Sequence, residues 1–116
     1  MAVHNGSADL KRSVSSILDQ TFKDFEFVIV DDGSDDDTWS HLESFKDRRL
    51  RLLRQRRRQG LTSSLIHGLT LATGDYVARQ DVDDYSCPQR LERQVRFLDD
   101  HRNVALLGTG VRIVDA

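Results

Sequence analysis

Apolar residues repeat along this chain at two different spacings. Leu10, Val14 and Ile17 recur every three or four residues, the spacing that places side chains on one face of a helix. This spacing, with its start and stop signals, predicts helices at about residues 8–19, 37–46, 61–73 and 87–100. Short apolar runs rich in β-branched and aromatic residues predict strands at about residues 1–3, 25–30, 50–53, 76–78, 104–107 and 111–114. Because strands and helices alternate, the pattern predicts an α/β fold with an open, mainly parallel sheet and helices on both faces.

The composition indicates one folded domain. The chain has 116 residues, 38% of them apolar and 31% charged, with a net charge of −2, which gives no overall attraction to nucleic acid or membrane. The arginine-rich stretch 48–58 lacks the interleaved aromatic residues typical of single-strand binding.

No apolar run approaches the ~18 residues that a membrane span needs, and no signal-peptide pattern opens the chain. The single cysteine, Cys87, favours a reducing compartment, so we expect a cytoplasmic protein, at the inner face of the membrane in a full-length form.

Polar clusters follow the predicted strands. They are His4–Gly6, Asp31–Ser34, Arg56–Gly60 and Asp81–Asp84. The carboxyl ends of parallel strands meet at one edge of a sheet, where open α/β folds bind ligands. Carboxylates at this density favour a hard divalent cation such as Mg²⁺ or Mn²⁺, and the arginines suit phosphate groups. The residues therefore predict a metal-assisted site for a phosphorylated ligand, without naming the ligand.

Five short blocks occur in a characteristic order. They are Ala2–Gly6 (AVHNG), Ser16–Glu26 (SILDQTFKDFE), Val30–Ser34 (VDDGS), Ala72–Asp84 (ATGDYVARQDVDD) and Pro88–Gln94 (PQRLERQ). In these blocks the chain resembles the family 2 glycosyltransferases, which have the nucleotide-sugar-binding GT-A fold. A lone D-x-D motif is a weak signal, but five blocks in order over nearly the whole chain are a strong one. The resemblance implies inverting, metal-dependent transfer of a sugar from a UDP-, GDP- or dTDP-linked donor to an acceptor that the sequence does not identify.

The resemblance also implies roles for individual residues. The nucleotide pocket would be lined by Val3, His4, Asn5, Asp31, Asp32, Arg58 and Asp81. Asp81 and Asp83 would bind the divalent cation, Mn²⁺ or Mg²⁺, and Arg79 and Arg90 would lie near the diphosphate. The family's general base and acceptor site come further along the chain. We therefore expect the base beyond Ala116, and interpret residues 1–116 as the nucleotide-sugar-binding portion of a glycosyltransferase domain, with the acceptor-binding portion absent.

Two other interpretations are relevant to this sequence. A truncated module that binds nucleotide and metal without catalytic activity stays open as the alternative. A flavodoxin-like signalling receiver with an acidic Mg²⁺ pocket needs an acidic pair after the first strand, where this chain has His4-Asn5-Gly6, and a late lysine, whereas no lysine follows Lys46. Ala2 and His4 replace the proline and tyrosine usual in the family's first block, and these departures bear on donor specificity.

Overall fold

The computed structural model describes residues 1–113, and in this range three strands form one parallel sheet. The strands are β1 (Ala2–Val3), β2 (Phe27–Asp31) and β3 (Leu50–Arg54), which pair in the order β1-β2-β3. The helices are α1 (Ser7–Leu18), α2 (Thr38–Ser44), α3 (Leu61–Leu71) and α4 (Arg90–Asp100). Val3 lies opposite Asp31, and Asp31 lies opposite Arg54. The three strands therefore end together, at what we call the carboxyl edge.

The sheet carries helices on both faces, as predicted. Alternate residues of a strand point to opposite faces. One face packs against α1 and α2 through a core of Val3, Leu10, Val14, Ile17, Phe27, Ile29 and Leu42. On the other face, α3 lies close to β2, since a Cβ placed on Gly68 would be 3.4 Å from Val30 Cγ2. Leu10 and Leu42 are fully buried, and each such side chain contributes about 1.5–3 kcal/mol to the hydrophobic free energy of folding.

The four predicted helices are confirmed, with shifted ends. α1 begins at Ser7, and α4 begins at Arg90 rather than near residue 87. α3 ends at Leu71, because Ala72 already has an extended backbone. α1 has 12 residues and is the longest helix of residues 1–113. In that range, no helix is long and apolar enough to cross a membrane.

The predicted strands at 76–78, 104–107 and 111–113 are wrong. Within residues 1–113 these segments form no ladder, and the side chains of Val77, Leu106 and Ile113 are 65%, 90% and 90% exposed. Strand backbone groups need a paired neighbour to be stable. Among residues 1–113 these three segments have no such neighbour. Val114, the last residue of the predicted strand at 111–114, lies outside the described residues.

Candidate functional site

Four loops follow one another around the carboxyl edge. We call them loop A (residues 4–6), loop B (residues 32–37), loop C (residues 55–60) and loop D (residues 79–87). Loops A and B are joined directly: His4 Nδ1 lies 3.0 Å from the Asp32 carbonyl oxygen. The Asn5 backbone N–H donates to Ser34 Oγ at 3.0 Å. Asn5 has φ 52, a left-handed conformation that asparagine tolerates better than most residues.

Asp32 ties loop B to loop C. Its side chain is almost fully buried, and its two oxygens accept the backbone N–H groups of Gln59 at 2.7 Å and Gly60 at 2.8 Å. Burial acts to raise the pKa of Asp32, but these two N–H groups, with smaller contributions from Ser64 and His4, outweigh it and hold the pKa below its ordinary value. The Asp32 carboxylate therefore holds loop C against loop B, independently of any ligand that it also contacts.

Asp32→Asn is expected to destabilise the fold by about 2–4 kcal/mol at pH 7, because the amide NH₂ cannot accept one of the two buried N–H groups. The folded-state pKa lies below the ordinary 3.8. The stabilisation is therefore complete above that value and is lost as pH falls through the lowered pKa. Urea denaturation between pH 7 and pH 3 measures both effects, with exposed Asp24→Asn as the control. Equal stability of Asp32→Asn and wild type at pH 7 contradicts this role.

Val3 and Asp31 lie at the ends of β1 and β2. The Val3 side chain is buried in the core, so Val3 faces the edge only through its backbone, whose carbonyl accepts the Asp32 N–H at 2.7 Å. Asp31 is fully buried, and its Oδ1 accepts the Ser34 N–H at 3.1 Å. Its Oδ2 has no hydrogen-bond partner among residues 1–113, and Arg54 Nε lies 3.4 Å away. The buried Oδ2 of Asp31 is thus paired with Arg54 by charge rather than by a hydrogen bond.

Loop D packs against loop A and α1, which brings Asp81 and Asp83 to the same edge. A Cβ added at Gly6 would lie 2.9 Å from Val82 Cγ2, so the two loops are in close contact there. Ser13 Oγ on α1 donates to the Asp81 carbonyl at 3.1 Å. The structure therefore places all four predicted clusters around one edge of the sheet.

The two acidic residues of the D-x-D motif are in different states. Asp81 is half-buried, and both its carboxylate oxygens accept hydrogen bonds from the exposed Arg79 guanidinium, each at 2.9 Å. Asp83 is exposed, and its carboxylate has no hydrogen-bond partner among residues 1–113. Asp83 is thus the unengaged carboxylate of the pair, whereas Asp81 is neutralised by its neighbour.

The remaining predicted arginines differ in their surroundings. Arg58 is exposed in loop C. Arg90 is half-buried, and its NH1 and NH2 groups donate to Gln80, Ser86 and the Arg79 carbonyl. Arg58 is therefore open to a ligand, whereas Arg90 is engaged by the protein.

The open space around this edge is shallow. A cavity of about 720 Å³ lies beside α3, lined by Arg54, Arg57, His67 and five other residues. A second cavity, of about 290 Å³, lies between loops B and C and is lined by Gly33, Ser34, Arg54, Gln55 and Arg56. Neither is lined by a residue of loop D. The candidate site is therefore an open edge, whose cavities are lined by arginines of β3 and loop C, while the D-x-D carboxylates lie apart from them in loop D.

The structure adds five buried polar residues, in loop D and behind it, that the sequence pattern did not predict: Ser13, Ser16, Gln20, Gln80 and Ser86. One signal was available for the first of them, because Ser13 follows Leu10 by three residues and so falls on the apolar stripe of α1. A polar residue on such a stripe needs a buried hydrogen-bond partner. Gln80 stands among charged residues and gives no comparable signal.

The chain matches one known protein family over its whole length. Residues 1–116 match the family described as glycosyl transferase family 2. The chain belongs to that family. Two of its relatives are the putative glycosyltransferase EpsE of Bacillus subtilis (strain 168) and WfaP of Escherichia coli. EpsE is 41% identical over 119 residues, covering 99% of this chain and 42% of EpsE. WfaP, a UDP-Glc:alpha-D-GlcNAc-diphosphoundecaprenol beta-1,3-glucosyltransferase, is 31% identical over 102 residues, covering 88% of this chain and 41% of WfaP.

Solved glycosyltransferase structures share the fold. S. aureus TarS 1-349 in complex with UDP-GlcNAc has a TM-score of 0.82 and 27% identity, covering 87% of this chain and 30% of that one. The mannosyltransferase PcManGT from Pyrobaculum calidifontis, in complex with GDP-Man and Mn²⁺, has a TM-score of 0.76 and 29% identity, covering 86% and 31%. The predicted GT-A fold is confirmed. The chain spans less than half the length of each of these four proteins.

Proposed function

We propose that this chain forms the donor site of a glycosyltransferase that moves a sugar, with inversion, from a nucleoside diphosphate sugar to an acceptor in a metal-dependent reaction. The observation that carries this proposal is the meeting of loops A, B, C and D at the carboxyl edge, where α/β folds bind ligands. The family 2 membership and the nucleotide sugars bound by TarS and PcManGT support it.

Loops A, B and C supply the nucleotide side of this site. Asn5 and His4 line it from loop A, and the buried Asp31 contributes from the end of β2, where its Oδ1 holds the Ser34 N–H of loop B. Asp32 holds loop C in place and so fixes the position of the exposed Arg58. Val3 contributes through its backbone.

Loop D supplies the diphosphate side. The oxygen donors of Asp81 and Asp83 suit Mn²⁺ or Mg²⁺, which commonly take one or two carboxylates together with substrate phosphates. Within residues 1–113 no group of three or more potential metal ligands is found; in this proposal the donor's phosphates supply the remaining ligands. When bound, the cation supplies Lewis-acid stabilisation of the diphosphate leaving group. The Arg79 guanidinium pairs with Asp81, and in this proposal it adds positive charge beside the diphosphate.

The acceptor side lies outside this proposal for residues 1–116. We assign no general base within them, and expect it further along the protein.

The single cysteine, Cys87, is exposed, which suits the reducing cytoplasmic compartment that we propose for the protein.

A thermal-shift panel of UDP, GDP and dTDP, each with Mn²⁺ or with EDTA, tests the proposal. We expect one nucleotide to stabilise the chain, and only with Mn²⁺. At a ligand concentration of 100 times Kd the stabilisation is about 2.7 kcal/mol, which corresponds to a rise in Tm of roughly 10 °C for a domain of this size. ATP with Mn²⁺ serves as the control for unspecific nucleotide binding. No shift with any of the three diphosphates, or equal shifts with Mn²⁺ and with EDTA, overturns the metal-dependent donor site.

A further inference from the structure

Loop D is held by side chains rather than by a strand ladder. Among residues 1–113 its segment 79–84 pairs with no strand, yet its backbone carbonyls have defined donors. Arg90 NH2 donates to the Arg79 carbonyl at 2.7 Å, Ser13 Oγ to the Asp81 carbonyl at 3.1 Å, and Gln80 Nε2 to the Asp84 carbonyl at 2.9 Å. Three side chains, together with the backbone hydrogen bond from the Asp84 N–H to the Asp81 carbonyl at 3.2 Å, therefore hold the conformation that presents Asp81 and Asp83.

Gln80 is the centre of this arrangement. It is 3% exposed, although it stands between Arg79 and Asp81 in the sequence. Its Nε2 also lies within hydrogen-bond distance of Ser13 Oγ and of the Asp81 carbonyl, at 3.1 and 3.3 Å. Its Oε1 accepts from Ser86 Oγ and from Arg90 NH1, both at 2.8 Å. Both ends of the buried amide are satisfied, so replacing it leaves several buried partners unpaired, which is more costly than losing one exposed hydrogen bond.

Arg90 completes the arrangement from the first turn of α4. Its NH1 donates to Gln80 Oε1 and to Ser86 Oγ, and its NH2 to the Arg79 carbonyl. Burial lowers the pKa of Arg90 from its ordinary value, and Asp84 acts against this shift. The guanidinium stays charged at neutral pH, but its planar fork is directed at loop D itself.

We propose that Gln80 and Arg90 are positioning residues, which fix the turn that presents Asp81 and Asp83 to the donor and do not themselves touch it. The inference rests on the proposed donor site and gives Arg90 a role different from direct contact with the diphosphate. It also accounts for a glutamine and an arginine that bind each other rather than solvent, immediately beside the D-x-D motif.

Substitutions at Arg90 separate a positioning role from a phosphate contact. Lysine keeps the positive charge but loses the planar fork. If Arg90 fixes loop D, Arg90→Lys and Arg90→Met lower the Mn²⁺-dependent nucleotide affinity to a similar extent. If Arg90 contacts the diphosphate by charge, Arg90→Lys keeps most of that affinity, and this result overturns the proposal. Arg93→Met is the matched control, because Arg93 lies on the same helix, is exposed and donates to Gln89.

Gln80→Leu tests the same role without changing charge. The variant is titrated by calorimetry with the nucleotide selected in the thermal-shift panel, with Mn²⁺ and with EDTA, and its amide hydrogen exchange is followed by mass spectrometry. We expect the Mn²⁺-dependent affinity to fall on the order of 10–100-fold, the range seen when a residue that orients metal ligands is lost. Faster exchange is expected in residues 79–87, with β2 and α1 unchanged.

The outcomes distinguish this proposal from the one on which it rests. If wild type binds none of the three nucleotides, the proposed function fails, and the inference fails with it. If wild type binds and Gln80→Leu binds equally well, only the positioning role is overturned. If exchange rises throughout the chain and affinity falls equally with Mn²⁺ and with EDTA, Gln80 supports the whole fold rather than loop D, which also overturns the proposal. Gln80→Glu, which keeps the oxygen that accepts from Arg90, provides a second variant if Gln80→Leu does not fold.

Discussion

Replacing Gly33 with alanine is expected to destabilise the fold by at least about 3 kcal/mol, because it combines backbone strain with a clash against backbone. Gly33 has φ +68, and a Cβ at this position would lie 2.6 Å from the Arg57 carbonyl carbon and 2.7 Å from the Arg58 nitrogen. Backbone atoms cannot move aside as the end of a flexible side chain can. Loop C must therefore shift, and this movement pulls Gln59 and Gly60 away from Asp32.

Two other glycines separate strain from clash. Gly60 has φ +95 with open space around its missing Cβ, so Gly60→Ala meets strain alone and is expected to cost about 1–3 kcal/mol. At Gly74 the nearest atom is the Tyr76 carbonyl oxygen at 3.5 Å, an ordinary contact, and Gly74→Ala is expected to be close to neutral. Urea denaturation of the three variants gives this order directly. A Gly33→Ala protein as stable as Gly74→Ala would show that loops B and C are not in contact.

Replacing Asp83 with asparagine is expected to lower the Mn²⁺-dependent nucleotide affinity by at least about 100-fold, the upper end of the loss seen when residues that only orient metal ligands are removed. Asp83 is the exposed carboxylate of the D-x-D motif, and among residues 1–113 it has no hydrogen-bond partner. Removal of its charge therefore disturbs no protein contact in that range, and the fold is expected to keep its stability. Calorimetric titration with Mn²⁺ and with EDTA measures the effect.

Asp37→Asn is the matched control for this substitution. Asp37 is also exposed and belongs to the acidic run of loop B, immediately before α2, where asparagine is an equally good capping residue. It removes the same charge without touching loop D, so nucleotide binding is expected to be unchanged. If Asp37→Asn weakens Mn²⁺-dependent binding while Asp83→Asn leaves it intact, the cation is held in loop B and the assignment to loop D is wrong.

The helices of this fold follow from the sequence because their signal is local and periodic. Leu10, Val14 and Ile17 are spaced at three or four residues, and all three are buried in the core against the sheet. The run at Tyr76–Ala78 has the composition of a strand, but composition does not supply a neighbour. A strand is stabilised by the segment beside it, and within residues 1–113 this run pairs with no strand.

The sequence predicts where the candidate site lies better than it predicts which contacts hold the site together. The position of polar clusters after predicted strands indicated four loops at one edge, and the structure brings them together there, although loop D follows no strand among residues 1–113. The sequence could not show that Asp32 holds loop C, because its partners are backbone N–H groups 27 and 28 residues away. Gln80 and Ser13 are 67 residues apart. Contacts between residues so far apart in the sequence produce no periodic pattern, so they can be identified only in the structure.

Paramagnetic broadening by Mn²⁺, followed by NMR on the ¹⁵N-labelled chain with the selected nucleoside diphosphate, tests the donor site most directly. A bound Mn²⁺ broadens the amide signals nearest to it, and so locates itself in the fold. We predict that signals of residues 81–84 and 4–6 broaden at substoichiometric Mn²⁺, and that the effect requires the nucleotide. Broadening centred on residues 35–37, or broadening at loop D that is the same with and without nucleotide, would contradict a donor site shared between the D-x-D motif and the diphosphate.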